Sequence, residues 1–547
     1  MAYFSLHAYD ADVWVPQFLG LNQSDDGMNQ DIRYAAEQEN VETVGGALQP
    51  RAAFSYLEGG FEGKRIETLA MIHRRWYAGN GSKNWFVAAV NGKLYFKQMG
   101  EATPWMQIEM PSGITSFQSS AWSWVTYQQT VQGDDENDII VDVLIISNAV
   151  DGMFMVIPPE APYKWEYFRQ HNWSEYDTEY TWGSVLTDHW TTIKIDEGQY
   201  GLTKNFGVIE RSNDRLWGCA IPGDPDILMY STVYDPTDWD LDDESREHPE
   251  QGPGDVQQPS WDGAEFTALK QFGDQLLAFK QNRVWRILGI GPHEYEFKEQ
   301  FGGGTKYPNT IAVGIEQVFM VSDDGPMVYD GMSVAPWRQE QIKKLWQTVN
   351  RDAMDQMCAA LYNQRYYLAF PVGDSAVNNA LLIFNLEDGT ILYHSGVYIE
   401  SFLSTIYGLF ATSSSVPGQM LEIKYDSWQE QSVCGSATKW VTPWMDFGYK
   451  RIQKGGFDLY FAPEIAGNEP VTLSFSIQTE KKVKTKKYVV QPLTEAQKEA
   501  NRQYRYKRMH FGGMGRKFRV IIQTDEGVTE PWRLVGGLHL VVETDPD

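Results

Sequence analysis

The sequence predicts an all-β chain, and three observations carry the expectation. Short apolar runs recur along most of the 547 residues, turn residues separate them, and aromatic side chains make up 14% of the chain, with 20 Trp and 29 Tyr. Aromatic and β-branched side chains suit a pleated, half-buried surface. Asn-Gly and Asp-Gly pairs tolerate the positive φ angles that two-residue hairpins need. A chain of this length exceeds one hydrophobic core, so more than one unit is expected.

Taken in order, the strand runs start with "ETLAMIHRRW" and with "KNWFVAAVNGKLYFKQM", which turns at Asn91-Gly92. "DIIVDVLIISNAVDGMFMVI" follows, then "GVIERSNDRLWGCAI" and "DILMYSTVYDPTDW". "FTALKQFGDQLLAFKQNRVWRILG" has successive turns at Gly273-Asp274 and Gln281-Asn282, and the next run turns at Asp324-Gly325 and Asp330-Gly331. "MCAALYNQRYYLAFPV", "ALLIFNLEDGTILYHSG" and "FLSTIYGLFATSSSVPGQMLEIKYDSW" complete the series. From Glu67 to Glu430 this makes about seven units of roughly 40–55 residues, the period of propeller blades. The expected architecture is therefore a β-propeller of about six to seven blades over residues 67–434, with residues 1–66 as an extended segment that helps close it. Two stretches break the pattern: residues 158–200, rich in Trp, Tyr and His, and the acidic, Pro/Gly-rich residues 235–262, expected as an exposed, partly mobile loop.

Helical patterning is confined to "APWRQEQIKKLWQTVNRDAMDQM" and to "TEAQKEANRQYRYK", where Thr494 and Gln497 are spaced as a capping box. From residue 435 the rhythm changes and about six further strands are expected, a separate C-terminal β-sandwich over 435–547.

The net charge of −27 is uneven. Residues 436–547 hold 18 Lys+Arg against 13 Asp+Glu, or +5, which leaves 28 against 60, or −32, before them. So acidic a region repels nucleic acid. No Lys or Arg precedes Arg33, so the charged start of a secretory signal is missing, and the longest uncharged runs contain Pro and Gly and do not read as membrane spans. Cys219, Cys358 and Cys434 lie far apart and read as reduced thiols.

Catalytic motifs are missing. Gly302-Gly303-Gly304 lacks the spacing of a phosphate-binding loop, His293-Glu294 is not followed by the second His of a zinc helix, and no Gly-x-Ser-x-Gly elbow occurs. The nine His do not pair at ligand spacing. No catalytic, cofactor-binding or metal residue is therefore assigned. The alternative is a carbohydrate-binding or glycan-hydrolysing propeller, but the spacing singles out no two carboxylates for that chemistry.

Two charged groups are the candidate interaction residues. One is acidic: Asp134, Asp135, Glu136 and Asp138, with Asp235, Asp238, Asp240, Asp242 and Asp243, as channel or tip loops. The other is basic: Lys481, Lys482, Lys484, Lys486 and Lys487, with Arg516, Lys517 and Arg519, as a docking surface or a DNA contact. Docking is favoured because the chain itself supplies an acidic surface.

The opening "FLGLNQSDDGMNQDIRYAAEQENVETVGGALQPRAAF", with Gly20, Leu21, Asn22, Asn40, Gly46, Leu48 and Arg51, resembles the start of the tail nozzle and packaged-DNA stabilisation proteins of short-tailed bacteriophages. "SNDRLWGCAIPGDPDILMYSTVYDPTDW", from Arg215 to Trp239, is similar to one of their propeller blades, and "WVTPWMDFGYKRIQKGGFDLYF" with "FGGMGRKFRVII" to their C-terminal sandwich. The resemblance implies a non-enzymatic part of the virion tail, assembled in the host cytoplasm. It implies a homo-oligomeric ring, commonly a hexamer, that extends the portal and adaptor channel and meets a tail spike, fibre or needle. DNA would pass through without specific binding, and this chain would not insert into a membrane. Residues 158–200 have no counterpart in that family.

Overall fold

The computed structural model describes residues 9–545 apart from residues 25–29, 58–59, 62, 75–82, 102, 133–137, 160–189, 244–245, 247, 258–263, 290–294, 425–430, 447–452 and 493–505. Thr494 and Gln497 of the expected capping box lie outside the described residues. Seven four-stranded antiparallel sheets and two larger sheets account for the fold.

The seven small sheets are the blades of a propeller. Blade 1 is Thr68–Arg74, Lys83–Val90, Lys93–Gln98 and Met106–Gln107, and blade 2 is Ser123–Gln132, Asp138–Asn148, Gly152–Ile157 and Thr191–Ile195. Blade 3 is Val208–Ser212, Arg215–Cys219, Ile227–Tyr230 and Gly254–Gln257, and blade 4 is Phe266–Phe272, Gln275–Lys280, Val284–Leu288 and Glu296–Gln300. Blade 5 is Ala312–Val313, Val318–Ser322, Gly325–Tyr329 and Val334–Pro336, and blade 6 is Cys358–Tyr362, Arg365–Phe370, Ala380–Asn385 and Ile391–Ser395. Blade 7 is Ile399–Thr405, Gly408–Ser413 and Met420–Ile423, completed by Ser55–Tyr56 from the other end of the chain. The first strand of each blade lies beside the first strand of the next, and that of blade 7 returns to that of blade 1. The ring is closed with seven blades.

Side-chain alternation explains why the second strands are apolar on both faces. Successive residues point to opposite sides of a sheet, and each side of a blade is buried against a different neighbour. In blade 6, Tyr366, Leu368 and Phe370 pack towards blade 5, while Tyr367 and Ala369 pack towards blade 7. One apolar cluster fills every gap between neighbouring blades. The turn at Asn91-Gly92 has φ of 49° and 71°, as its sequence demands.

Two of the breaks in pattern contain blade strands. Thr191–Ile195 pairs with Gly152–Ile157 and completes blade 2, so the insertion expected over 158–200 ends before residue 191. Gly254–Gln257 likewise completes blade 3. Within the stretch 235–262, Trp239 is fully buried between blades 2 and 3 and anchors the segment there. The helical expectation at 335–357 resolves into short pieces, Gln339–Ile342, Lys343–Trp346 and Arg351–Gln356, whose Ile342, Trp346 and Met354 cap the cluster between blades 5 and 6.

The two larger sheets face each other around one core as a β-sandwich. One contains Val41–Val44, Ala47–Pro50, Trp532–Asp545, Gln453–Ile465 and Lys507–Gly515, with Tyr9–Val15 also paired to Trp532–Asp545. The other runs Glu37–Glu39, Thr438–Val441, Phe518–Thr524, Val471–Thr479 and Val483–Val490. Phe461 of the first meets Phe475 of the second at a ring-centroid distance of 4.2 Å. Four strands from residues 9–50 thus belong to the sandwich, and of the described N-terminal strands only Ser55–Tyr56 joins the propeller.

Candidate interaction surfaces

The sandwich is fastened to the rim of the propeller at blade 6. A propeller's outer strands leave unpaired backbone groups that need cover, and residues 20–40 provide it. Leu21 N donates to Ile391 O at 2.7 Å, and Asn40 N donates to Tyr393 O at 3.0 Å. Gly20 lies so close to the backbone of Ile391 that a Cβ would collide with it. The Asn40 amide is used at both ends: Nδ2 donates to Ser395 Oγ and Ala437 O at 3.0 Å each, while Oδ1 accepts from Arg51 Nε at 3.1 Å and Ser395 N at 3.0 Å. Its φ of 55° is one that Asn adopts more readily than most residues. Charged groups are buried beside this joint. Burial pushes the Glu42 carboxyl up to about 7, against the pull of Arg365 and Arg51. Burial also holds the His394 imidazole well below its ordinary value, and Arg51 and Arg365 add to that.

The acidic candidates divide. Asp134, Asp135 and Glu136 lie outside the described residues, and Asp138 opens the second strand of blade 2, opposite Gln132. Asp235 is not a free surface charge: burial raises its carboxyl to about 6, and Oδ1 accepts from Thr237 N at 2.9 Å and Thr237 Oγ1 at 2.6 Å. Asp238 accepts from Arg246 at 2.7 and 2.8 Å and from Thr232 Oγ1 at 2.6 Å. Asp243 lies 3.5 Å from the same guanidinium, and Asp240 caps the backbone N–H of Asp242 at 3.1 Å. Much of this charge is spent on holding the segment in one shape. The common strand order brings the turns between first and second strands to one mouth of the propeller. Asp214, Asp274 and Glu316 stand there on blades 3, 4 and 5.

The basic candidates gather at one edge of the sandwich. Among the described residues Val483–Val490 is an edge strand, hydrogen-bonded on one side only, and Lys484, Lys486 and Lys487 are exposed along it, with Lys481 and Lys482 in the turn before it. Tyr488 and Val490 face the core, so alternation sets Lys484 and Lys486 on the same inner face. Lys486 Nζ stands 5.7 Å from the ring centroid of Phe511 on the opposite sheet, and Lys482 and Lys484 line a shallow crevice with Phe457, Ile477 and Gly513. Stems on apolar surface with heads in water keep such an edge from pairing with another. Arg516 and Lys517 are exposed in the neighbouring turn, whereas Arg519 is committed to Glu37 at 2.8 Å and lies over Trp444.

Strand order also redraws the charge map. Residues 1–50 hold eight acidic side chains against Arg33 alone. Counted with 436–547 they give 19 Lys+Arg against 21 Asp+Glu, or −2, and residues 51–435 keep 27 against 52, or −25. The sandwich is therefore close to neutral, with Lys481, Lys482, Lys484, Lys486, Lys487, Arg516 and Lys517 at one edge, and the propeller carries the acidity.

Among the described residues no group of three or more His, Cys, Asp or Glu could hold a metal ion, and no helix is long and apolar enough to cross a membrane. No family model matches the chain, and no curated protein does. Solved structures similar to it include the WD40 domain of Neurospora crassa Pan2, at 8% identity and a TM-score of 0.34, covering 67% of this chain and 91% of that one. Another is the extracellular domain of the putative hybrid two component system BT4673 from B. thetaiotaomicron, at 9% identity and a TM-score of 0.28, covering 85% and 70%. A third is an exo-beta-1,3-galactanase from Phanerochaete chrysosporium, at 9% identity and a TM-score of 0.19, covering 96% and 100%. The propeller assignment rests on the closed order of the seven sheets.

Proposed function

We propose that the chain is a structural protein of a tailed phage virion, a ring-forming tail nozzle or hub that extends the portal and adaptor channel and has no catalytic role. The observation that carries the reading is where the residues of the resemblance lie. Gly20, Leu21, Asn40 and Arg51 make the joint between propeller and sandwich, and Leu48 lies in the sandwich core. Arg215 is fully buried and donates to Ser231 O, Gly252 O and Glu250 O, while Trp217 and Trp239 fill the gaps on either side of blade 3. Such residues build a two-part body held together at its joint, as a subunit that bears load requires.

The charge distribution supports the same reading. A propeller of −25 repels phosphates by its long-range field, and a localised lysine edge suits docking onto an acidic neighbour, so opposite surfaces meet head to tail in a closed ring. Mass photometry of the chain mixed with the portal and adaptor proteins that the proposal requires tests it. Closed rings, with hexamers as the main species, are expected. A chain that stays monomeric and fails to bind the adaptor across micromolar concentrations contradicts it.

A further inference from the structure

The solvent face of the larger sandwich sheet carries an ordered row of aromatic and hydrogen-bonding side chains that neither the core nor the joint uses. The strand registers place Trp14, His539, Tyr460 and Arg508 side by side across four strands. The neighbouring row on the same face is Asp12, Val541, Asp458 and His510. Trp14 is 61% exposed at the outer end of its row, and Tyr506, 56% exposed, extends the face beyond Arg508. The residues between them in sequence, Val13, Leu540, Leu459 and Met509, pack into or against the core, so the outward direction of the row is fixed.

The polar groups are already held in place. Asp458 accepts from Arg508 at 2.6 Å and lies 3.0 Å from His510 Nδ1. The Arg508 hydrogen bond, against a smaller opposing effect of burial, keeps the Asp458 carboxyl below its ordinary value. His539 Nε2 lies 3.0 Å from Asp12, and the His539 and Tyr460 rings lie 5.7 Å apart, tilted by 31°.

We infer that this face is a binding site for a neutral saccharide chain. Charge decides among the ligand classes. Two carboxylates beside one guanidinium leave the face without the positive excess that a nucleic acid needs. The centre of a protein interface is depleted in Asp, whereas this face holds Asp458 at its middle. A polyhydroxyl ligand uses what is present: rings that pack against C–H faces, carboxylates that accept from hydroxyls, and a guanidinium that donates to them. Trp14 and Tyr460 are two strands apart, roughly 10 Å at the usual strand spacing, far enough to engage two separate sugars of one chain. The inference does not rest on the assembly reading, because a virion part and a free lectin would use the face alike.

Native affinity electrophoresis of the full chain through gels containing dextran, laminarin, hydroxyethylcellulose or galactomannan tests it. Retardation by at least one polysaccharide is expected, weakened at least tenfold in the double variant Trp14→Ala/Tyr460→Ala and in Asp458→Asn, with mobility in plain gels unchanged. Migration unaffected by all four polysaccharides overturns the inference, as does retardation that survives the double variant. Loss of self-association in the double variant, measured by sedimentation and without any polysaccharide effect, assigns the face to a protein and also overturns it. Since Tyr460 stacks on His539, Trp14→Ala alone, at an exposed position on an edge strand, provides a variant whose folding is not in question.

Discussion

Asn40 shows how much one side chain contributes to joining the two parts. Asn40→Ala removes both ends of the amide and puts at φ 55° a residue that tolerates the left-handed region less readily than Asn. The expected cost is about 2–4 kcal/mol, with propeller and sandwich melting as separate transitions in differential scanning calorimetry. Glu42 gives a pH signature. Its folded pKa, about 7, lies above the ordinary 4.5, so the folded state holds the proton longer than the unfolded state does. Its contribution is fully present below pH 4.5 and is lost as pH rises towards 7, up to about 3 kcal/mol in all. His394 acts in the opposite sense, since its lowered pKa costs stability as pH falls through 6.5. Glu42→Gln isolates the first effect: the variant should gain stability over the parent in urea titrations at pH 8 and lose that advantage at pH 4.5. An equal difference at both pH values counts against a protonated Glu42.

At the scale of elements, the acidic segment between the third and fourth strands of blade 3 and the lysine edge strand each make a prediction. Trp239→Ala opens a cavity between blades 2 and 3 and should cost about 3–5 kcal/mol, with protease cleavage appearing between residues 235 and 243. Replacing Lys484 and Lys486 by Val removes the charges that guard an exposed edge already bearing Val483 and Val489. Light scattering should show concentration-dependent aggregation in that variant and none in the parent. The blade strands were legible in sequence because each second strand is buried on both faces and each hairpin turn is marked by residues such as Asn91-Gly92. The fourth strands of blades 2 and 3 were not, because Thr191–Ile195 and Gly254–Gln257 are short and follow long polar stretches. Periodicity says which way a side chain points, not which strand it meets. The pairing of Tyr9–Val15 with residues 538–544 joins opposite ends of the chain, and no local pattern could announce it. For the same reason the row from Trp14 to Arg508 is not legible in the sequence, although each of its residues sits in an ordinary alternating strand. Charge counts by sequence segment misplaced the acidic residues 1–50 for that reason too.

The whole molecule is closed at two levels. Ser55–Tyr56 completes blade 7 after the chain has gone round the ring, and residues 9–50 are woven into a sandwich otherwise built from the far end. Both ends of the propeller segment are therefore tied, which suits a part that bears load at a ring. The proposed ring is tested most directly by electron microscopy of the purified chain incubated with the portal–adaptor complex that the proposal requires. Closed rings coaxial with the adaptor, with an open channel along the symmetry axis, are expected. Single propellers scattered unbound beside unmodified portal–adaptor particles would contradict it.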